Sequence, residues 1–301
     1  MRVVDDFHPD LRRIARWLPR AAVSPRTLKP IRVLSGLPAK MPAKGVEVKA
    51  VAAVSVRVHR PAPSDHPLPA LLWIHGGGYV IGTAAQDDAL CRRFAHELGI
   101  IVVAVDYRLA PEQQYPVPLH DCYAALAWLA HQPDVDSTRI AVGGASAGGG
   151  LAAALALLAR DRSEVQVAFQ LLAYPMLDDR TATRLDVDER NLRLWNTKAN
   201  RFGWQSYLGH PLGCTEVSGL AAPARFDDLR HVSPAWIGVG TLDLFHEEDV
   251  AYADRLSAAG VECQLNVVEG AFHGFDLVQP KAGVSQGFRS AQVAALAAAL
   301  R

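Results

Sequence analysis

Ile140-Ala141-Val142-Gly143-Gly144-Ala145-Ser146-Ala147-Gly148-Gly149-Gly150-Leu151 decides the fold. The apolar run Ile140 to Val142 reads as a strand. The pentapeptide Gly144 to Gly148 reads as a sharp turn, and the small-residue stretch Gly149 to Leu158 as a closely packed helix. A turn this tight forces its central residue into a strained backbone that only small flanking residues permit. It also holds the central hydroxyl above the sheet at a helix N-terminus. Ser146 is therefore a candidate nucleophile. Gly, Ala and Ser are also common in ordinary turns that lead into helices, so the rest of the chain has to supply its partners.

Working outward, apolar strand candidates alternate with helical segments. The strands are Ala70 to Ile74, Ile100 to Val105, Ile140 to Val142, Val167 to Leu172, Trp236 to Val239 and Leu265 to Val268. The helices lie near Asp87 to Leu98, His120 to Ala130, Ala147 to Arg160, Glu247 to Ala259 and Gly287 to Leu300. Continuous apolar strands separated by helices predict an α/β fold, with a mostly parallel sheet covered on both faces. Val46 to Val58 adds one or two strands at the start of the sheet. Upstream, Leu11, Ile14, Ala15 and Leu18 recur at helical spacing and predict a short amphipathic helix with a solvated arginine face. Pro25, Pro30, Pro38 and Pro42 then predict an extended connector. The alternation fails between about Asp178 and Gly213, where Asp, Arg, Asn and Trp dominate. An insertion there predicts a lid over the carboxyl edge of the sheet.

With 301 residues, half of them hydrophobic, the chain can bury a large core. Its 31 basic and 31 acidic residues cancel, so nothing draws the whole molecule to nucleic acid or to an anionic membrane, and a small neutral substrate fits better. Cys91, Cys122, Cys214 and Cys263 lie far apart with no histidine at metal-ligand spacing, and read as reduced, mostly buried thiols. No cofactor and no metal are implied. The N-terminus does not resemble a secretory leader, and no run of about 18 apolar residues marks a membrane span. A cytoplasmic enzyme is the expectation.

A serine hydroxyl becomes a useful nucleophile only when an imidazole takes its proton and a carboxylate fixes the imidazole's tautomer. Asp243 ends the exit loop of the strand Trp236 to Val239, at the same sheet edge as Ser146. Its rivals Glu247, Glu248 and Asp249 fall in the first turn of the next helix, where acids complement the helix dipole. His273 follows the strand ending at Val268 and is flanked by glycines that let the loop carry the ring back over the sheet; His246 and His231 end no strand. Ser146, Asp243 and His273 stand in the order expected for such a triad. His75-Gly76-Gly77-Gly78-Tyr79 follows the strand Leu71 to Ile74, and its glycines allow backbone N–H groups to approach an oxyanion. The amide of Ala147, at a helix start, supplies the other half of that hole. His75 reads as a loop-bracing hydrogen bonder, and neither phosphate-loop spacing occurs.

These residues resemble the hormone-sensitive-lipase-like family of α/β-hydrolase esterases, from roughly Leu71 to Phe275. The resemblance rests on His75 to Tyr79, Gly144 to Gly148, Asp243 before Leu244 and Phe245, and His273 before Gly274 and Phe275. The segment Asp106-Tyr107-Arg108-Leu109-Ala110-Pro111-Glu112 adds to it, and Arg108 and Glu112 are expected to pair beneath the site. The resemblance implies a triad of Ser146, Asp243 and His273, with Gly77, Gly78 and Ala147 donating to the oxyanion. It also implies a catalytic domain of residues 46–177 and 216–301, capped by residues 1–45 and 178–215. Ala145, where many members carry an acidic residue or threonine, and Leu244, where many carry proline, depart from the pattern. The expected activity is hydrolysis of small esters of short to medium acyl length through an acyl-enzyme. Tyr79, Trp195, Phe202, Trp204 and Tyr207 are candidates to line the acyl pocket. An amidase or arylformamide hydrolase with the same triad is the nearest alternative, and a silent small-molecule receptor on this fold is a further one. A homodimer through an edge strand is expected only by analogy with the fold.

Overall fold

The computed structural model describes residues 6–21, 23–36, 43, 45–213 and 216–301. Its apolar runs form eight strands: β1 (Val46–Val51), β2 (Val54–His59), β3 (Leu68–Ile74), β4 (Ile101–Asp106), β5 (Val135–Ala145), β6 (Phe169–Ala173), β7 (Ala235–Gly240) and β8 (Cys263–Val268). They pair in the order β1-β2-β4-β3-β5-β6-β7-β8. From β4 to β8 every pairing is parallel, while β2 runs antiparallel to both β1 and β4.

Strand periodicity divides the core in two. On β3, Ala70, Leu72 and Ile74 point into one cluster with Leu126, Leu151 and Phe245, whereas Leu71 and Trp73 point into the other with Phe94, Phe288 and Leu296. Helices cover both faces: α3 (Asp88–Leu98) and α9 (Gly283–Ala299) on one, α4 (Val117–Ala130), α5 (Ala147–Arg162) and α7 (His246–Ala258) on the other. α5 is buried from Ala147 to Ala159. Its Gly and Ala residues make that approach to the sheet sterically allowed. Glu47 and Lys49 point outward from the exposed edge strand β1, which discourages edge-to-edge pairing.

The N-terminal region differs from its expected form. The predicted helix over residues 9–18 is a 3-10 turn, Pro9–Leu11, followed by a single α-turn, α1 (Arg12–Ala15); Leu11 and Ala15 are buried, and Trp17 is exposed. The expected extended connector contains a helix, α2 (Leu28–Gly36). Pro30 does not break it, because it lies in the first turn, where backbone N–H groups have no intrahelical acceptor. Pro38 and Pro42 lie outside the described residues. Within 178–213 the chain forms a 3-10 turn, Asp179–Thr183, and then α6 (Thr197–Leu208). The Asn196 side chain caps α6 by accepting from the Ala199 N–H, and Gly209 ends it at φ 77°. A final short helix, α8 (Phe275–Val278), precedes α9. Cys91 and Cys122 are buried free thiols and Cys263 is half-buried, while Cys214 lies outside the described residues.

Two buried polar contacts make the fold sensitive to charge. Arg225 donates from Nε to Oδ1 of the buried Asp179 at 2.5 Å and so ties the turn after β6 to the segment before β7. Replacing Arg225 with Ala leaves that carboxylate without its counter-charge, and urea unfolding is expected to show a loss of about 3–5 kcal/mol. Asp87 accepts from the Trp73 indole N–H at 2.8 Å. Burial, opposed by this bond and reinforced by Asp276 and Asp88, raises the Asp87 carboxyl to about 7. The folded chain therefore binds this proton more tightly than the unfolded chain. The stability it contributes is present at low pH and is lost as pH rises through about 7. Asp87→Asn is expected to gain on the parent by about 1–3 kcal/mol between pH 5 and pH 8. Equal differences at the two pH values would contradict the assignment.

Candidate active site

Ser146 sits between the end of β5 and the start of α5 with φ 57° and ψ −122°, a conformation that ordinary side chains adopt rarely. Its surroundings hold it there. The Ser146 N–H donates to Ala173 O, and its carbonyl accepts from the Met176 and Gly150 N–H groups, at 2.9, 2.9 and 3.0 Å. A Cβ on Gly144 or Gly148 would overlap the Ile74 carbonyl at the end of β3, and one on Gly76 would approach Ala145 O to 2.8 Å. The turn and the glycine loop after β3 thus pack backbone to backbone, which explains why both are written in glycine.

The loop after β8 returns His273 to the serine. Its Nε2 lies 3.0 Å from Ser146 Oγ, and its Nδ1 lies 2.8 Å from Asp243 Oδ2. Asp243 Oδ1 accepts from the Phe245 N–H at 3.0 Å, which orients the carboxylate. The three residues are only 6–8 % exposed. Aromatic rings frame the imidazole: Tyr174 edge-on at 4.9 Å, Phe245 edge-on at 5.2 Å and Trp195 at 6.5 Å between centroids. The structure thus brings together all three residues singled out in the sequence.

Across from this pair, Gly77 and Gly78 adopt φ 127° and 59°. Their N–H groups, and that of Ala147, donate to no protein acceptor among the described residues. His75 serves as a brace: its Nδ1 lies 2.8 Å from Gly76 O, and its ring stacks on Tyr107 at 4.3 Å. Burial holds its pKa below the usual histidine value, which favours the neutral ring needed for that role.

Several expectations need correction. Arg108 and Glu112 do not pair. Arg108 holds the buried Asp121 of α4 through its backbone N–H and its guanidinium, while Glu112 faces solvent and takes Arg32 of α2. Arg32 spans the glycine loop and the 107–112 loop, donating to Val80 O and Ala110 O. The helix-dipole role is also too simple for two of the acids after Asp243. Glu248 is buried and accepts from the N–H groups of Leu177 and Asp178, so it holds the turn after β6. Asp249 is fully buried with neither oxygen hydrogen-bonded, and burial pushes both carboxyls well above the usual range. Glu247 alone is exposed, and it pairs with Arg184.

Of the five aromatic pocket candidates, Trp195 reaches the site. A Cβ on Gly78 would overlap its ring, and its indole lies 3.3 Å from Asn200 Oδ1. Tyr79, Trp204 and Tyr207 instead pack on one another, with Tyr79 stacked on Tyr207 at 3.9 Å, and Phe202 packs against the core. Tyr174, which belongs to none of the sequence motifs, and Phe245, which enters them only as a flank of Asp243, are neighbours of His273. Each ends a strand or its exit loop at the same edge as Ser146, and that position was the available signal.

Comparison with known proteins places the chain by family and fold. A family model described as the alpha/beta hydrolase fold matches residues 71–277. An esterase, LipI, of Mycobacterium tuberculosis is 35% identical over 228 residues, covering 74% of this chain and 71% of its own. An ethyl acetate hydrolase of Pseudomonas putida is 35% identical over 228 residues, covering 73% and 70%. The solved structure of a bacterial heroin esterase superposes with a TM-score of 0.89 at 37% identity, covering 99% of each chain. With its glycine loop, strained serine turn and matched relatives, the chain belongs to the hormone-sensitive-lipase-like family of α/β-hydrolase esterases.

Proposed function

We propose that this chain hydrolyses carboxylic esters of short to medium acyl length through an acyl-enzyme on Ser146. The hydrogen-bonded path Ser146 Oγ–His273 Nε2, His273 Nδ1–Asp243 Oδ2 carries the reading. In the first half-reaction His273 takes the hydroxyl proton as Ser146 Oγ attacks the ester carbonyl. The charge that develops on the carbonyl oxygen is met by the N–H groups of Gly77, Gly78 and Ala147. Collapse of the tetrahedral species breaks the ester C–O bond, and the imidazolium gives its proton to the departing alkoxide. A water then enters and, losing a proton to His273, attacks the acyl carbonyl; collapse of this second tetrahedral species breaks the acyl C–Oγ bond, and the imidazolium returns the proton to Ser146 Oγ as the acid leaves. Asp243 accepts from Nδ1–H throughout, fixing the tautomer and stabilising the imidazolium. The described parts of residues 1–45 and 178–215 act in this reading as a cap; residues 1–5, 22, 37–42, 44, 214 and 215 lie outside the described residues. Supporting contacts are the Leu194 N–H to Pro19 O bond at 2.9 Å and the Arg193 Nε to Ala15 O bond at 2.6 Å.

Ser146→Ala is expected to lower kcat on p-nitrophenyl butyrate by about four orders of magnitude. Residual turnover within about tenfold of the parent would overturn the assignment. Trp195, seated against Gly78, sets the acyl limit. In a panel of two-, four-, eight- and twelve-carbon esters, the parent is expected to favour the shorter chains. Trp195→Ala is expected to raise the eight- to four-carbon ratio of kcat/KM by about tenfold. A parent that prefers twelve carbons would contradict the short-acyl reading.

A further inference from the structure

We propose that the hydrogen bond between Tyr174 and Asp276 is a tether that holds the Ser146 turn and the His273 loop in register, making this pair the positioning residues of the triad. Neither residue exchanges a proton with substrate. Their role is to set the distance across which Ser146 and His273 do so, and it rests on the triad reading above.

Tyr174 moves with the serine. It directly follows β6, between the two residues that bond the Ser146 backbone: Ala173, whose carbonyl accepts the Ser146 N–H, and Met176, whose N–H donates to the Ser146 carbonyl. Its own N–H donates to Gly238 O at 2.6 Å, its φ is 37°, and Pro175 packs where a Cβ on Gly149 would sit. These contacts leave the turn little freedom relative to the elbow.

Asp276 moves with the histidine. It lies three residues beyond His273, at the start of α8, and is 2 % exposed. Arg289 of α9 donates to its carbonyl at 2.6 Å and stands 3.8 Å from its Oδ2. The His273 loop is thereby anchored at its far end.

Between these two units the Tyr174 hydroxyl donates to Asp276 Oδ1 at 2.8 Å, with both side chains buried. The phenol ring is fixed on its other contacts as well, stacked on Phe288 at 6.0 Å and edge-on to His273. A buried phenol–carboxyl bond is directional and shielded from competing water, so it transmits position between the groups it joins. Catalysis is steep in that position. A displacement of about 1 Å between reacting groups can cost about a hundredfold in rate.

The test compares four variants by kcat and KM on p-nitrophenyl butyrate and by the second-order labelling rate with a fluorophosphonate, which reads the Ser146–His273 pair without an acyl substrate. Tyr174→Phe keeps the ring and its packing and removes only the donor. Both kcat and labelling rate are expected to fall about tenfold with KM within about twofold. Asp276→Asn retains an Oδ1 acceptor and is expected to stay within about twofold of the parent, whereas Asp276→Leu falls with Tyr174→Phe. The Tyr174→Phe, Asp276→Leu double variant is expected to be no slower than the slower single, as for two ends of one tether. Tyr174→Phe within about twofold of the parent in kcat and labelling would overturn the proposal, as would an Asn variant as slow as the Leu variant. Parent-level labelling that persists in Ser146→Ala would instead mark failure of the triad reading itself, and the tether would fall with it.

Discussion

The backbone of Ser146 is the constraint on which the rest of the site depends. A serine at φ 57° is disfavoured by itself, and it persists because its N–H and carbonyl are both bonded to the turn after β6. That turn is held in its own right by Glu248, which accepts two of its N–H groups from the helix behind. The same strain aims Oγ at the imidazole and leaves the Ala147 amide free at the head of α5. Nucleophile orientation and oxyanion recognition are thus two results of one backbone geometry.

Close backbone approach extends the constraint to the neighbouring strands. Gly76, Gly144 and Gly148 allow the elbow to touch the end of β3, so the glycine loop and the nucleophile form one packed unit. Arg32 then joins that unit to α2 and the 107–112 loop through Val80 and Ala110. The N-terminal arm contributes to the architecture of the site although it carries none of the triad.

Local chemistry made much of this readable in the sequence. The serine turn, the glycine loop and the glycine-flanked histidine each announce themselves through residues that few other conformations need, and strand-end position singled out Asp243. The positions of the long apolar strands and helices also followed from periodicity, since burial on both faces demands continuous apolar runs, but not every boundary did: β5 starts at Val135, five residues before the run Ile140 to Val142, through the polar stretch Asp136 to Arg139. What was not readable depends on tertiary partners. Arg108 has two carboxylates within reach along the chain, and the choice of Asp121 over Glu112 is made by α4 packing against the loop. Pro30 looks like a breaker until the helix start is known. The five aromatic pocket candidates are indistinguishable in composition, and only the fold separates Trp195, which faces Gly78, from Tyr79, Trp204 and Tyr207, which face each other.

The Ser146–His273 hydrogen bond spans 127 positions of sequence, and the His273–Asp243 bond spans 30. Between them the chain must lay down β6, β7 and β8 in parallel register. Such high contact order means that the entropy of closing the long loop is met before any reward from the contact itself. The reactive centre consequently has no counterpart in a half-formed sheet. Recovery of turnover therefore reports completion of the whole parallel array rather than local order around the serine.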